Sequence, residues 1–159
     1  TVVGPINRLV DKFRYVAFSR DWHPSDHCSF GFPPEFRDGS WPIHCVQDTP
    51  GAEFHGDLRV PLDAIFINKG DDPGVEAYSA FEGTPLADEL RGRGVTRVYV
   101  AGLALDYCVR STALDALRLG VSAAVLRDAV QAVNPDQSDA VFAELEAAGV
   151  DLPATEDLL

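Results

Sequence analysis

One stretch constrains the fold more than any other: VYVAGLALDYCVRSTALDALRLG, Val98 to Gly120. Its start, Arg97 to Ala101, is a short apolar run of strand length and β-branched content, and Gly102 breaks it. After Asp106 the pattern changes to that of a helix, with Val109, Ala113, Leu114, Ala116 and Leu117 falling on one face. A strand, a tight turn and a helix start in direct succession set Cys108 in the first helical turn. There the unpaired amides and the positive end of the helix dipole favour thiolate over thiol. The same amides could hold the oxyanion of a tetrahedral acyl intermediate, which makes Cys108 a candidate nucleophile. The competing reading is a small buried hydrophobe, the usual state of an unpaired cysteine. Asp106 is expected to be the N-cap, accepting from the amide of Cys108 or Val109.

The rest of the chain repeats the alternation. Pro5 to Phe13 reads as an amphipathic helix, Tyr15 to Ser19 as a buried strand, and Ala64 to Asn68 as a strand that delivers Lys69 at its carboxyl end. A helix at Leu86 to Arg93, a strand at Ala123 to Arg127, a helix at Gln137 to Ala148 ended by Gly149, and a final strand near Val150 to Leu152 follow. Strands alternating with helices predict an α/β fold, a parallel sheet flanked by helices on both faces. The 159 residues form a single domain without internal repeat. In such sheets ligands sit beyond the carboxyl ends of the strands, which here carry Arg20 to His23, Lys69 to Asp72 and Gly102 to Cys108.

Charge narrows the partners. With 25 acidic against 13 basic residues the net charge is -12, which opposes binding to nucleic acid or to anionic lipid. No apolar run approaches the roughly 20 residues that span a bilayer, so no membrane partner is expected. Three cysteines without regular spacing point to a reducing, cytoplasmic compartment rather than a secreted scaffold. A small molecule remains as the expected partner.

Between Arg20 and Pro61 neither period is sustained, and Pro, Gly, Asp and single aromatics dominate. All four histidines, His23, His27, His44 and His55, lie in this segment. Asp21 and His23 form a D-x-H pair directly after a strand, where alternation can turn both side chains to one side. His44 arrives in S-W-P-I-H-C, stiffened by Trp41 and Pro42. One carboxylate and two imidazoles with open positions suit a catalytic divalent ion, zinc first, iron or manganese otherwise. The spacing does not decide whether His27 is a fourth ligand. Lys69 lies where the same cleft would be, able to hold a thiolate or exchange protons around it. Cys28 and Cys45 are expected as packing residues.

Together D-W-H-P-S-D-H, S-W-P-I-H-C-V, N-K-G, A-Y-S-A-F and G-L-A-L-D-Y-C-V-R-S-T-A-L-D-A resemble, in order, the motifs of the nicotinamidases. These are metal-dependent cysteine amidases of the isochorismatase-like hydrolase family, and the resemblance runs from about Tyr15 to the C-terminus. It implies a Rossmann-like or flavodoxin-like sheet, hydrolysis of nicotinamide to nicotinate and ammonia, acceptance of pyrazinamide, and frequent self-association into a homo-oligomer. On matching positions it makes Asp21, His23 and His44 the metal ligands, Lys69 the catalytic lysine and Cys108 the nucleophile. It also gives Ala104 a share of the oxyanion hole, across a cis peptide from Leu103, and puts Trp41 and Tyr78 around the pyridine ring.

The family pattern further implies an aspartate and an aromatic on a leading strand, ahead of the first residues here. That strand is expected to be absent from this chain, which contains no methionine and opens at Thr1. Three other readings stay open: a related amidase of the same fold acting on an N-carbamoyl or ureido substrate, a catalytically impaired binding remnant, and an iron oxygenase. The first has no need of Asp21, His23 and His44 as a metal set, and the last usually has an all-β scaffold.

Overall fold

Apolar runs that end at a glycine or a charged residue set the strand lengths, and the helices between them bury one stripe each. The computed structural model describes residues 2–159. Helix α1 (Val3–Leu9), continued by a 3-10 turn at Val10–Lys12, leads into strand β1 (Ala17–Asp21). After a long irregular segment come β2 (Ile65–Lys69), α2 (Leu86–Gly92), β3 (Arg97–Leu103), α3 (Arg110–Arg118), β4 (Ser122–Gln131) and α4 (Ser138–Ala148). The α/β class is as expected, with both strand pairs parallel.

Helix α3 packs on one face of β3 and β4 together with α4, through Val109, Ala113, Ala116, Val125 and Leu145. Helix α1 covers the opposite face, where Leu9 meets Leu126 and Ala129. Four consecutive buried residues, Ala123 to Leu126, mark β4 as a strand covered on both faces. Gly149 adopts φ 97° and closes α4 in the left-handed conformation that glycine reaches without strain.

Three expectations need correction. The strands form two parallel pairs, β1 with β2 and β3 with β4, rather than one continuous sheet. A cleft separates β1 from β3, lined by Ala17 and Ser19 on one side and by Tyr99 and Ala101 on the other. The final strand shrinks to a single bridge between Ala124 and Asp151, because Pro153 follows and the Asp151 carboxylate turns to Arg97 at 2.6 Å. In contrast β4 runs past the charged pair Arg127 and Asp128, since a register shift after Val100 lets Gly102 pair with Val130.

Candidate active site

Parallel pairing in register sets Asp21 directly opposite Lys69, so their side chains leave the sheet on the same face. Lys69 is only 4% exposed, and its ammonium donates to the Asp21 carboxylate, to the Ala77 carbonyl at 3.2 Å and to the Cys108 Sγ at 3.3 Å. Burial alone pulls the Lys69 pKa down, yet Cys108 and Asp21 beside it hold it above the usual lysine value. A buried ammonium held by the Asp21 carboxylate and in contact with the Cys108 sulfur stays charged. It thereby links the two groups that the sequence singled out from opposite ends of the chain.

Beyond β1 the backbone continues to pair: the His23 amide donates to the Cys45 carbonyl at 3.0 Å, and the Gln47 amide to the His23 carbonyl at 2.8 Å. This short ladder brings His44 beside His23, with ring centroids 5.0 Å apart. Donor atoms of Asp21, His23 and His44 all lie within 4.8 Å of one another. Each histidine has its Nδ1 on a backbone carbonyl at 2.8 Å, Gly70 for His23 and Pro42 for His44. Nδ1 therefore carries the hydrogen, and Nε2 is left as a lone-pair donor, the arrangement that metal-binding histidines adopt. Burial lowers the His23 pKa and favours the neutral ring that ligation requires. The donor set fits one divalent ion with open positions. His27 is not part of it: its ring nitrogens meet the Ser29 hydroxyl at 2.7 Å and the Val75 carbonyl at 3.1 Å, and its ring lies tilted against that of His23 with centroids 4.1 Å apart.

From the other half-sheet come Ala104 and Cys108. The peptide between Leu103 and Ala104 is cis. The chain then makes one wide turn, Leu105–Val109, in which the Val109 amide reaches back to the Ala104 carbonyl at 3.0 Å, before α3 begins. Burial raises the Cys108 thiol above its ordinary pKa, while Lys69 and the Ala104 amide draw it partly down. Asp106 is not a helix cap. Its two carboxylate oxygens accept from the amides of Val133 and Asn134, each at 2.9 Å, and so tie the turn to the loop after β4. A local cap would have competed for the same lone pairs, and the longer-range amides take them. Of the other cysteines, Cys45 is half-buried, whereas Cys28, expected to pack, is exposed.

These groups open into one cavity of about 230 Å³, which Asp21, His23, His44, Ala104 and Cys108 share with Trp41 and Tyr78. Tyr107 also lines it and stands edge-on to Trp41 at 4.8 Å and tilted to Tyr78 at 5.3 Å. Its place next to Cys108 was the only signal for it in the sequence. Glu76, Ala77 and Val133 are further unanticipated lining residues, and the Oε2 of Glu76 is buried without a hydrogen-bond partner, an acceptor left for an occupant's donor. His55 lies on the surface, away from the cavity.

The site thus sets a cysteine at a strand-to-helix junction, in contact with a buried lysine, on a parallel α/β scaffold. The chain belongs to the isochorismatase domain family, whose model matches residues 1–157. It is 38% identical to the nicotinamidase of Escherichia coli over 99% of this chain and 84% of that protein. It is 43% identical to the nicotinamidase/pyrazinamidase of Mycobacterium tuberculosis over 88% of this chain and 76% of that protein. Among solved structures, the pyrazinamidase of Pyrococcus horikoshii in complex with zinc matches with a TM-score of 0.87 and 44% identity, over 96% of this chain and 84% of that one. By family the chain is an amide hydrolase. No described helix is long and apolar enough to cross a membrane.

Proposed function

We propose that this chain hydrolyses nicotinamide to nicotinate and ammonia, with Cys108 as nucleophile, and that it accepts pyrazinamide as well. The observation that carries the reading is the single contact line Asp21, Lys69, Cys108 along one cavity, with the two histidine Nε2 atoms beside it. Asp21, His23 and His44 would hold a divalent ion, zinc in the first place, which when bound would supply a Lewis-acid anchor for the ring nitrogen. Relatives named for nicotinamide and pyrazinamide, and a relative's zinc complex, support this choice of substrate and metal.

Trp41, Tyr78 and Tyr107 then flank the ring, and the carboxamide carbon lies over sulfur. Cys108 attacks that carbon as its proton leaves sulfur, and the amides of Ala104 and Cys108 receive the oxyanion. The C–N bond breaks, the proton passes to the departing nitrogen to give ammonia, and a thioester remains on Cys108. Lys69, in contact with sulfur, stands on the route of that proton. Water then splits the thioester, its hydroxyl going to the acyl carbon and its proton back to sulfur. Cys108→Ala should lower ammonia release from nicotinamide by at least about a thousandfold. A variant working at the parent rate would overturn the reading. The alternative ureido amidase has no use for the Asp21, His23, His44 cradle, and stoichiometric metal in the purified chain separates the two.

A further inference from the structure

The aromatic wall of the cavity ends outside it, on a carboxylate. The Trp41 indole N–H donates to the Tyr78 hydroxyl at 2.9 Å, and the Tyr78 hydroxyl donates to Asp38 Oδ1 at 2.6 Å. The direction is unique, because an indole N–H can only donate and a phenol has one proton to give. Asp38 is no drifting surface acid. It sits at the tip of a hairpin-like loop closed by the bridge between Arg37 and Ser40, with Gly39 at φ 70° turning the chain. The base of that loop is Trp41 itself, whose amide donates to the Ser29 carbonyl at 2.7 Å and whose carbonyl accepts from the Gly31 amide at 2.8 Å. The neighbouring Arg37 pairs with Glu35, which leaves the Asp38 carboxylate to the tyrosine.

We propose that Asp38 is a positioning and specificity-determining residue: it orients the Tyr78 hydroxyl, and through it the Trp41 indole, to receive an aromatic ring between them. This rests on the reading of the cavity as an aromatic carboxamide site. Asp38 touches none of the reacting groups, so it acts on ring binding and leaves the acyl chemistry alone. Removing it frees the hydroxyl to rotate and takes away the fixed acceptor of Trp41.

The test is a double-mutant cycle with Asp38→Ala, Asp38→Asn, Tyr78→Phe and the Asp38→Ala, Tyr78→Phe pair. Nicotinamide turnover is measured alongside acrylamide quenching of Trp41 in the ligand-free protein, isolated by difference from a Trp41→Phe chain. Asp38→Ala should raise KM roughly three- to tenfold with kcat within about twofold, as loss of one hydrogen bond used equally in ground and transition state predicts. Asp38→Asn, whose amide oxygen still accepts, should restore most of the loss. In the Tyr78→Phe background Asp38→Ala should add nothing. Quenching of Trp41 should increase in Asp38→Ala without any ligand.

An unchanged KM and unchanged quenching, an equal KM effect without the Tyr78 hydroxyl, or a fall in kcat alone would overturn the proposal. If the parent chain does not turn over nicotinamide while quenching still rises in Asp38→Ala, the substrate reading falls and the positioning role stands.

Discussion

Gly70 shows how closely a single residue can be fitted to a cradle. Its φ is +63°, and a Cβ there would lie 2.5 Å from His23 Cε1 and 2.8 Å from Nδ1, while its carbonyl holds that same Nδ1. Gly70→Ala should therefore displace the His23 ring and reduce bound divalent metal, with about 1–3 kcal/mol lost in folding stability. Metal content of the purified variant and its urea midpoint check this. At this scale the sequence was legible where side-chain chemistry is rare. D-x-H, the distal His44, Lys69 and Cys108 stood out by type and by place at strand ends. Asp38 did not, since an exposed acid in an irregular loop looks like any other until its partner, forty residues on, is beside it. Asp106 misled for the related reason that a cap is a local inference, whereas its amide partners lie 27 and 28 residues away.

Among the elements, the second half of β4 depends on a clamp from the C-terminal turn. Asp128 accepts from the Thr155 amide at 2.7 Å and from its hydroxyl, and the same hydroxyl oxygen accepts from Arg8 of α1 at 3.3 Å. Burial by itself would raise the Asp128 carboxyl, but the bonds from Thr155 outweigh it and hold it below the usual aspartate range. A carboxyl depressed in the folded state contributes stability above its unfolded pKa, and that stability is lost as pH falls through the folded value. Thr155→Val should then cost about 1 kcal/mol near pH 7, and the gap from the parent should narrow in acid as Asp128 protonates in both. Urea titrations at the two pH values measure it. Element type was readable from period and punctuation, as Gly149 at the end of α4 illustrates. The ends were not, because β4 is prolonged by pairing with β3, which no local pattern encodes.

In the whole molecule, the lateral order of strands was the least legible property. Alternation tells which residues face a core but not which strand lies next to which, so one sheet was expected and two pairs were found. Pairing with β2 uses alternate residues of β1, as the bonds from Ile65 to Val16 and from Trp22 to Lys69 show, and so turns the amides of Ala17 and Ser19 toward the cleft. These amides should exchange with deuterium much faster than that of Phe18, which hydrogen-exchange mass spectrometry or NMR will show; equal protection would mean that the cleft is closed in solution.

Lys69 and the metal cradle belong to one pair of strands, Cys108 and Ala104 to the other. The ammonium and the sulfur thus meet across the line between the two strand pairs, and their 3.3 Å approach measures how the two parts are seated on each other. Dilute urea should extinguish turnover before far-ultraviolet circular dichroism records any loss of helix, because a slide of an ångström is enough to silence the sulfur and too small to melt either part.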